Sequence, residues 1–392
     1  MVKNFYDLNL KKCFIILFII FTFFIKDNIY ATEKSAIENT EETVNLKEYI
    51  SVLEDYLDKN GSNNIDVDLN DIYNNLKETK NIDYNSVLKT VLGVLFKSLR
   101  NVLTGSITIF FIMLLLSVLS SLKLDEDSSV TKISNLVCYI LIITIMMKNF
   151  LEVITSIKET VNIVATLMQV TSPFLLGIII ATGAVTTTGI IEPLLLFVAS
   201  SIGFVVTYII IPFLNISFAF KIITLISENI KLDELSNFFS SSSKWLIVVL
   251  LTLFLGVLTI VGNLSTSIDA VFIKTTQAAV SNFVPVVGKF FSDSFESVVA
   301  SSKLILNVSG ILGIIVVFFI TITPILKVLS IIIVYSLLAG SFEILSVQKK
   351  IIDFIKYITN LYKTILGILI GVDVLFIISI GVVINLTKVL GS

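Results

Sequence analysis

Residues 172–197 read "SPFLLGIIIATGAVTTTGIIEPLLLF". Pro173 and Pro193 stand inside apolar runs, and Thr186, Thr187, Thr188 and Gly189 form a small polar knot beside Glu192. The stretch belongs to a lysine-free block from Val161 to Phe220, which holds a third proline, Pro212. Proline removes a backbone hydrogen bond, and within lipid the freed carbonyl needs another partner. Such breaks are tolerated where protein or a water-filled cavity covers them. Broken helices carrying small polar residues at mid-membrane point to a transport path. A kinked helix packed through Gly183 and Ala184 is the alternative. Either way the block belongs in a bilayer. Its candidate path-lining or helix-breaking residues are Pro173, Gly183, Thr186, Thr187, Gly189, Glu192, Pro193 and Pro212.

The whole chain agrees with that reading. It has 392 residues, 55% hydrophobic and 15% charged, with mean hydropathy +0.96. Soluble domains carry about 25% charged residues, so this is an integral membrane protein. A net charge of −2 gives no reason to expect a nucleic-acid partner. Histidine is absent, which removes the usual general base and the commonest metal ligand. Cys13 and Cys138 both lie in apolar runs, so no disulfide framework or zinc site is expected. Gly288-Lys289 lacks the remainder of a phosphate-binding loop. No catalytic site, cofactor or metal is expected, and any transport must draw on a gradient or a partner.

Lys3, Lys11 and Lys12 precede an apolar run from Cys13 to Ile25, too short to span a bilayer. With "NIYA" ending at Ala31, residues 1–31 read as a secretory signal, which delivers the next segment outside the cytoplasm. Residues 32–83 carry thirteen acidic residues against five lysines. Within them Leu46, Tyr49, Ile50, Leu53, Tyr56 and Leu57 predict one helix, ended by Asn60-Gly61. Leu69, Ile72, Tyr73 and Leu76 predict a second. This is an acidic extracytoplasmic arm, too small to bury a core alone. Residues 84–101 predict a cationic amphipathic helix on the membrane surface.

Residues 102–392 then form a multi-span domain. Apolar blocks near 102–122, 130–148, 161–188, 190–214, 245–264, 304–324, 326–342 and 364–387 predict an all-α polytopic fold of about seven to eight transmembrane helices plus amphipathic interfacial helices. With the arm outside, the inner loops hold nine lysines, including Lys274, Lys289 and Lys303, against seven in the outer loops. An amphipathic hairpin is expected over 265–303. Ile268, Phe272 and Phe283 stripe one arm; Phe291, Phe295, Val298 and Val299 stripe the other. Pro285 breaks the first helix, Gly288 allows the turn, and Lys289 pairs with Asp293 at i, i+4. A further interfacial helix covers 344–362. Glu192 and Asp373 are the acids deep in apolar runs, and intramembrane acids are functional candidates by default. Pro173/Pro212 and Pro285/Pro324 repeat a spacing of 39 residues, a weak hint of duplicated halves.

"SNFVPVVGKFFSDSFESVVASS" (281–302), "LTLFLGVLTIVG" (251–262), "ATGAVTTTGIIEPLLLF" (181–197) and "IIIPF" (209–213) together resemble the stage III sporulation protein AE family. The resemblance implies a permease-like member of the sporulation channel complex that links mother cell and forespore, in the mother-cell membrane engulfing the forespore. It implies other sporulation channel proteins as partners, besides membrane lipid, with a partner ATPase as a candidate. It carries over Asn282, Phe283, Pro285, Gly288 and Asp293 as a motif, with Gly183, Pro193 and Pro212. It does not make Glu192 or Asp373 required acids. Two other readings stand beside it: a proton-coupled carrier of a small solute using Glu192 or Asp373, and a non-transporting membrane scaffold.

Overall fold

A computed structural model describes residues 46–61, 69–77, 84–121, 129–181, 184–227, 230–283, 285–344 and 348–390. Within these helices the side chains at 71, 75–77, 84–88, 119–121, 129–132, 181, 259, 261–301, 344 and 386–390 lie outside the described set. The expected signal segment, 1–31, also falls outside it. The described chain is all α. In order come α1 (Leu46–Asn60), α2 (Leu69–Lys77), α3 (Tyr84–Ser121), α4 (Ser129–Ala181) and α5 (Val185–Val205). A π turn (Val206–Ile210) leads into α6 (Ile211–Ile226), followed by α7 (Asp233–Phe283), α8 (Pro285–Ile344) and α9 (Lys349–Leu390).

The two arm helices form where the apolar spacing places them. Leu46, Tyr49, Ile50, Leu53 and Leu57 of α1 are all buried, while Lys47, Glu48, Asp55 and Asp58 face outward. Asn60 donates to the Tyr56 carbonyl (3.0 Å), and the Gly61 amide bonds Leu57 O at 2.6 Å. A Cβ on Gly61 would stand 2.4 Å from that carbonyl, so the helix stop needs glycine. The buried face docks against α8.

Six helical stretches among the described residues are long and apolar enough to cross a membrane: Lys89–Val118, Ile133–Ile180, Val185–Ile226, Asp233–Leu258, Ser302–Glu343 and Lys349–Asn385. The expected count of seven to eight is slightly high for one reason. The block 130–148 and residues 161–181 of the next block lie on the single helix α4, and 304–324 and 326–342 lie on α8. Lys148, Glu152, Lys158 and Glu159 make the middle of α4 look like a loop by hydropathy. They are good helix formers with no glycine or proline among them, so hydrogen bonding continues. Pro324 sits inside α8 without ending it. The amphipathic stretch 84–101 likewise runs unbroken into the span of α3, and residues 349–362 open α9.

Side-chain pairs fix the register. Asn149 donates to the Tyr335 hydroxyl (3.0 Å) and Lys327 pairs with Glu152 (2.6 Å), so α4 and α8 are antiparallel. Tyr335 meets Tyr362 edge-on at 5.9 Å, and Gly310 faces Ile380 and Ile384, so α8 and α9 are antiparallel too. Gly203 faces Ala165 and Asn162, while Gln169 donates to Ser200, making α4 and α5 an antiparallel pair about residues 182–184. The lysine-free block is therefore two long helices rather than re-entrant halves. α8 is the central helix: 94% of its most apolar stretch is buried, against 22% for those of α3 and α7. A Cβ on Gly310 would approach Ile384 Cδ1 to 2.8 Å, so glycine there allows α9 its close contact.

Six alternating spans place α1, the end of α4, the start of α5 and the end of α9 at one end of the bundle, the arm end. The ends of α3, α6 and α8 lie toward the other. This changes the place of the hairpin. With eight spans it falls opposite the arm; with six, residues 261–283 of α7 and 285–301 of α8 lie at the arm end itself. They do so as unbroken helices. At 1.5 Å per residue, residues 285–301 add roughly 25 Å. Pro285 opens α8, where its missing N–H is harmless, but Gly288 lies within the helix and makes no turn. The 39-residue proline echo has no structural counterpart: Pro173 is inside a helix, whereas Pro285 begins one.

Candidate functional site

The proline-interrupted block builds three polar contacts onto the bundle. At its start, Thr171 is buried and Pro173 half-buried in α4. Tyr49 of the arm stacks on Phe174 with centroids 3.9 Å apart and planes 3° from parallel. Its hydroxyl donates toward Thr171 Oγ1 (3.5 Å) and the Ser309 carbonyl (3.4 Å). Gly313 makes room, since a Cβ there would lie 3.1 Å from that hydroxyl. Burial pushes the Tyr49 phenol well above its ordinary range, so it stays a neutral donor.

The middle of the block opens α5. Thr186 is exposed, Thr187 fully buried, and Thr188 returns its hydroxyl to the Ala184 carbonyl at 3.1 Å. The polar knot is thus a first helical turn rather than a mid-helix break. Gly189 has open space around it, so it serves no close packing. Gly183 lies outside the described residues. Glu192 is half-buried and Pro193 exposed, and that proline leaves the Gly189 carbonyl without its helical donor.

Pro212 carries the third contact. The π turn precedes it, with the Ile211 amide reaching back to the Val206 carbonyl. Such wide turns occur where a helix accommodates an interruption, frequently at functional sites. Thr207 in that turn donates to Asn162 of α4 at 3.3 Å. Just beyond, Ser217 and Ser236 are both fully buried, and each donates to the other's backbone carbonyl at 2.9 and 2.7 Å. The Tyr357 hydroxyl lies 2.6 Å from one hydroxyl and 2.7 Å from the other. Lys221 closes the group, 2.5 Å from Asp233 and 5.0 Å from the Tyr357 ring centre. This knot ties α6, α7 and α9 together. No spacing in the sequence announces it, because its members come from three distant segments and serine is common in such helices.

The two intramembrane acids are not brought together. No hydrogen bond joins Glu192 on α5 to Asp373 on α9. Asp373 is buried beside the Thr321 hydroxyl of α8, and its Oδ1 finds no hydrogen-bond partner among the described residues. The motif residues Asn282, Phe283, Gly288 and Asp293 are helical, with side chains outside the described set, and Pro285 marks the joint between α7 and α8.

Comparison with known proteins adds the family. The profile of stage III sporulation protein AE matches residues 67–387. The stage III sporulation protein AE of Bacillus subtilis (strain 168) is 26% identical over 268 residues, covering 68% of this chain and 67% of that protein. No solved structure matches. The match takes in the six spans among the described residues, the α7–α8 joint and the proline-bearing block, and leaves α1 outside it. This chain belongs to the stage III sporulation protein AE family.

Proposed function

We propose that this sporulation-family membrane protein is a permease-like component of the channel complex linking mother cell and forespore, without enzymatic activity of its own. The observation that carries the reading is the arm end of the bundle. There the docked acidic arm and the long α7–α8 extension, whose tip holds the most family-like sequence, stand on one side of six spans. Two amphipathic helical stretches joined at the arm end suit contact with other sporulation channel proteins. The central helix is packed with Ile, Val and Phe, which suits a part of an assembly better than a wide pore within one chain.

Orientation follows the lysines. Among the described residues, Lys231, Lys349 and Lys350 stand at the end opposite the arm. Cytoplasmic loops are enriched in lysine, so the arm and the α7–α8 joint lie outside the cytoplasm of the mother cell, in the membrane that engulfs the forespore. In a spore former lacking the gene, the wild-type chain restores heat-resistant spores and late forespore gene expression. A chain cut back at the joint, with 271–297 replaced by a short flexible linker, does not. Full rescue by that chain would overturn the reading.

A second reading has one observation in its favour. The unpartnered Oδ1 of Asp373, buried between α8 and α9, suits a proton-coupled carrier. Asp373→Asn and Glu192→Gln separate the two: wild-type sporulation by both variants removes proton coupling through either acid.

A further inference from the structure

We propose that the seam between α4 and α8 is a path for water and small cations, stoppered at the arm end by Tyr49; the inference rests on the channel reading above and gives it a route. Ser302, Ser309, Gly313, Thr323 and Lys327 fall within roughly a quarter of the circumference of α8. Lys327 and Ser309 show which neighbour that face meets: the first pairs with Glu152 of α4, and the second shares Tyr49 with Thr171 of α4. The same turn arithmetic on α4 groups Asn149, Glu152, Ser156, Thr160 and Thr171. With Asn149 opposite Tyr335 and Glu152 opposite Lys327, the antiparallel register brings Thr160 to the level of Thr323.

Hydroxyls in spanning helices ordinarily return their proton to the preceding turn, as Thr160 does to Ser156 and Ser330 to Leu326. Ser302, Ser309 and Thr323 do not: their buried hydroxyls find no partner among the described residues. Buried polar groups left without partners need an explanation, and a water-bearing seam is one. Both of its helices also carry a proline in their interior. Pro173 frees the Gln169 carbonyl and Pro324 frees the Ile320 carbonyl, and such groups persist at membrane depth only where protein or water covers them.

Between the two polar levels, Ile163, Val164 and Leu167 stand on α4 at the height of Gly313 and Val316 on α8. An apolar stretch of that kind slows passage without barring it. At the arm end the Tyr49 ring fills the mouth against Phe174 and is the one stopper. The ligand class follows from the lining: hydroxyl and carbonyl oxygens favour cations. Glu48 and Asp58 are exposed on the outer face of α1 beside the Lys59–Asp55 pair, and the acidic excess of residues 32–83 favours cations at the mouth.

The test uses the full chain in membranes of sporulating cells, with Cys13 and Cys138 replaced by serine. Ser309→Cys and Thr323→Cys are each exposed from the arm side to a membrane-impermeant trimethylammonium methanethiosulfonate and to its sulfonate counterpart. With Tyr49 present, both cysteines stay unlabelled. With Tyr49→Ala, or the milder Tyr49→Leu should the first be degraded, Ser309→Cys is labelled, at least about tenfold faster by the cationic reagent. Thr323→Cys follows more slowly. Labelling that ignores Tyr49, no labelling after its removal, or labelling that stops at Ser309 overturns the path. Spore counts taken on the same strains keep the readings apart. Failed labelling beside normal complementation sinks the seam alone, whereas normal labelling in a protein dispensable for sporulation sinks the function.

Discussion

Replacing Tyr49 by alanine probes the docking of the arm most sharply. The side chain is fully buried, lies flat on Phe174, and is surrounded by Thr171, Ser309 and Gly313. Truncating a buried aromatic to alanine costs about 3–5 kcal/mol. Part of that cost is the ring pair, worth about 0.5–1.5 kcal/mol beyond area burial. The loss falls on docking rather than on the bundle, because α1 touches the spans through this one face. Each 1.4 kcal/mol is a factor of ten, so the undocked fraction of α1 rises by roughly two to three and a half decades. Lys47 and Lys59 lie on the exposed side of α1 and offer trypsin its cleavage sites. Cleavage inside a docked helix requires opening, and its rate follows the open population when reclosing is fast. Limited trypsinolysis of the membrane-embedded protein should therefore cut the arm of Tyr49→Ala about a hundredfold faster or more. Tyr49→Phe keeps the ring and loses only two long hydrogen bonds, so it should remain close to wild type. Equal arm cleavage in wild type and Tyr49→Ala would refute the docking argument.

Other substitutions test the packing. Gly310→Ala puts a Cβ 2.8 Å from Ile384 and 2.9 Å from Ile380, and should lower thermal stability in detergent by about 1–3 kcal/mol. Gly177→Ala and Gly256→Ala meet open space within helices and should be neutral or stabilise by up to about 1 kcal/mol in the same melt. Ser217→Ala breaks the reciprocal serine pair and leaves the Ser236 carbonyl short of a donor; a loss of about 1–3 kcal/mol is expected by the same measurement. Lys327→Met opens a partly exposed ion pair and should cost less than about 1 kcal/mol, weakening further as salt rises.

The sequence made some of this legible and hid the rest for physical reasons. The arm helices could be read because a solvated helix advertises its buried face at i, i+3 and i+4, and Leu46, Tyr49, Ile50, Leu53 and Leu57 do so. The stripe Ile351, Phe354, Ile358 and Leu361 was readable for the same reason, and all four are fully buried. The number of spans was not, because hydropathy registers the charges at Lys148, Glu152 and Lys327 but not the continuity of the helix carrying them. That miscount also moved the α7–α8 joint to the wrong end. Prolines drew attention to the block 172–212, though Pro173 and Pro193 lie inside continuous helices. They could not say that Pro212 follows a π turn, or that Phe174 receives Tyr49 from 125 residues upstream. Contacts such as Ser217, Ser236 and Tyr357 depend on register between distant helices, and no local pattern records it.

The central claim is that this family member works as part of the sporulation channel assembly, through the end of the bundle that carries the arm and the α7–α8 joint. Crosslinking from a photoreactive residue placed at Asp293, followed by purification of the full-length protein from sporulating cells, tests it most directly. The account predicts adducts with other sporulation channel proteins, lost when the same residue is placed at Lys350 on the opposite end. Recovery of the protein as an uncrosslinked monomer, free of sporulation partners, would contradict it.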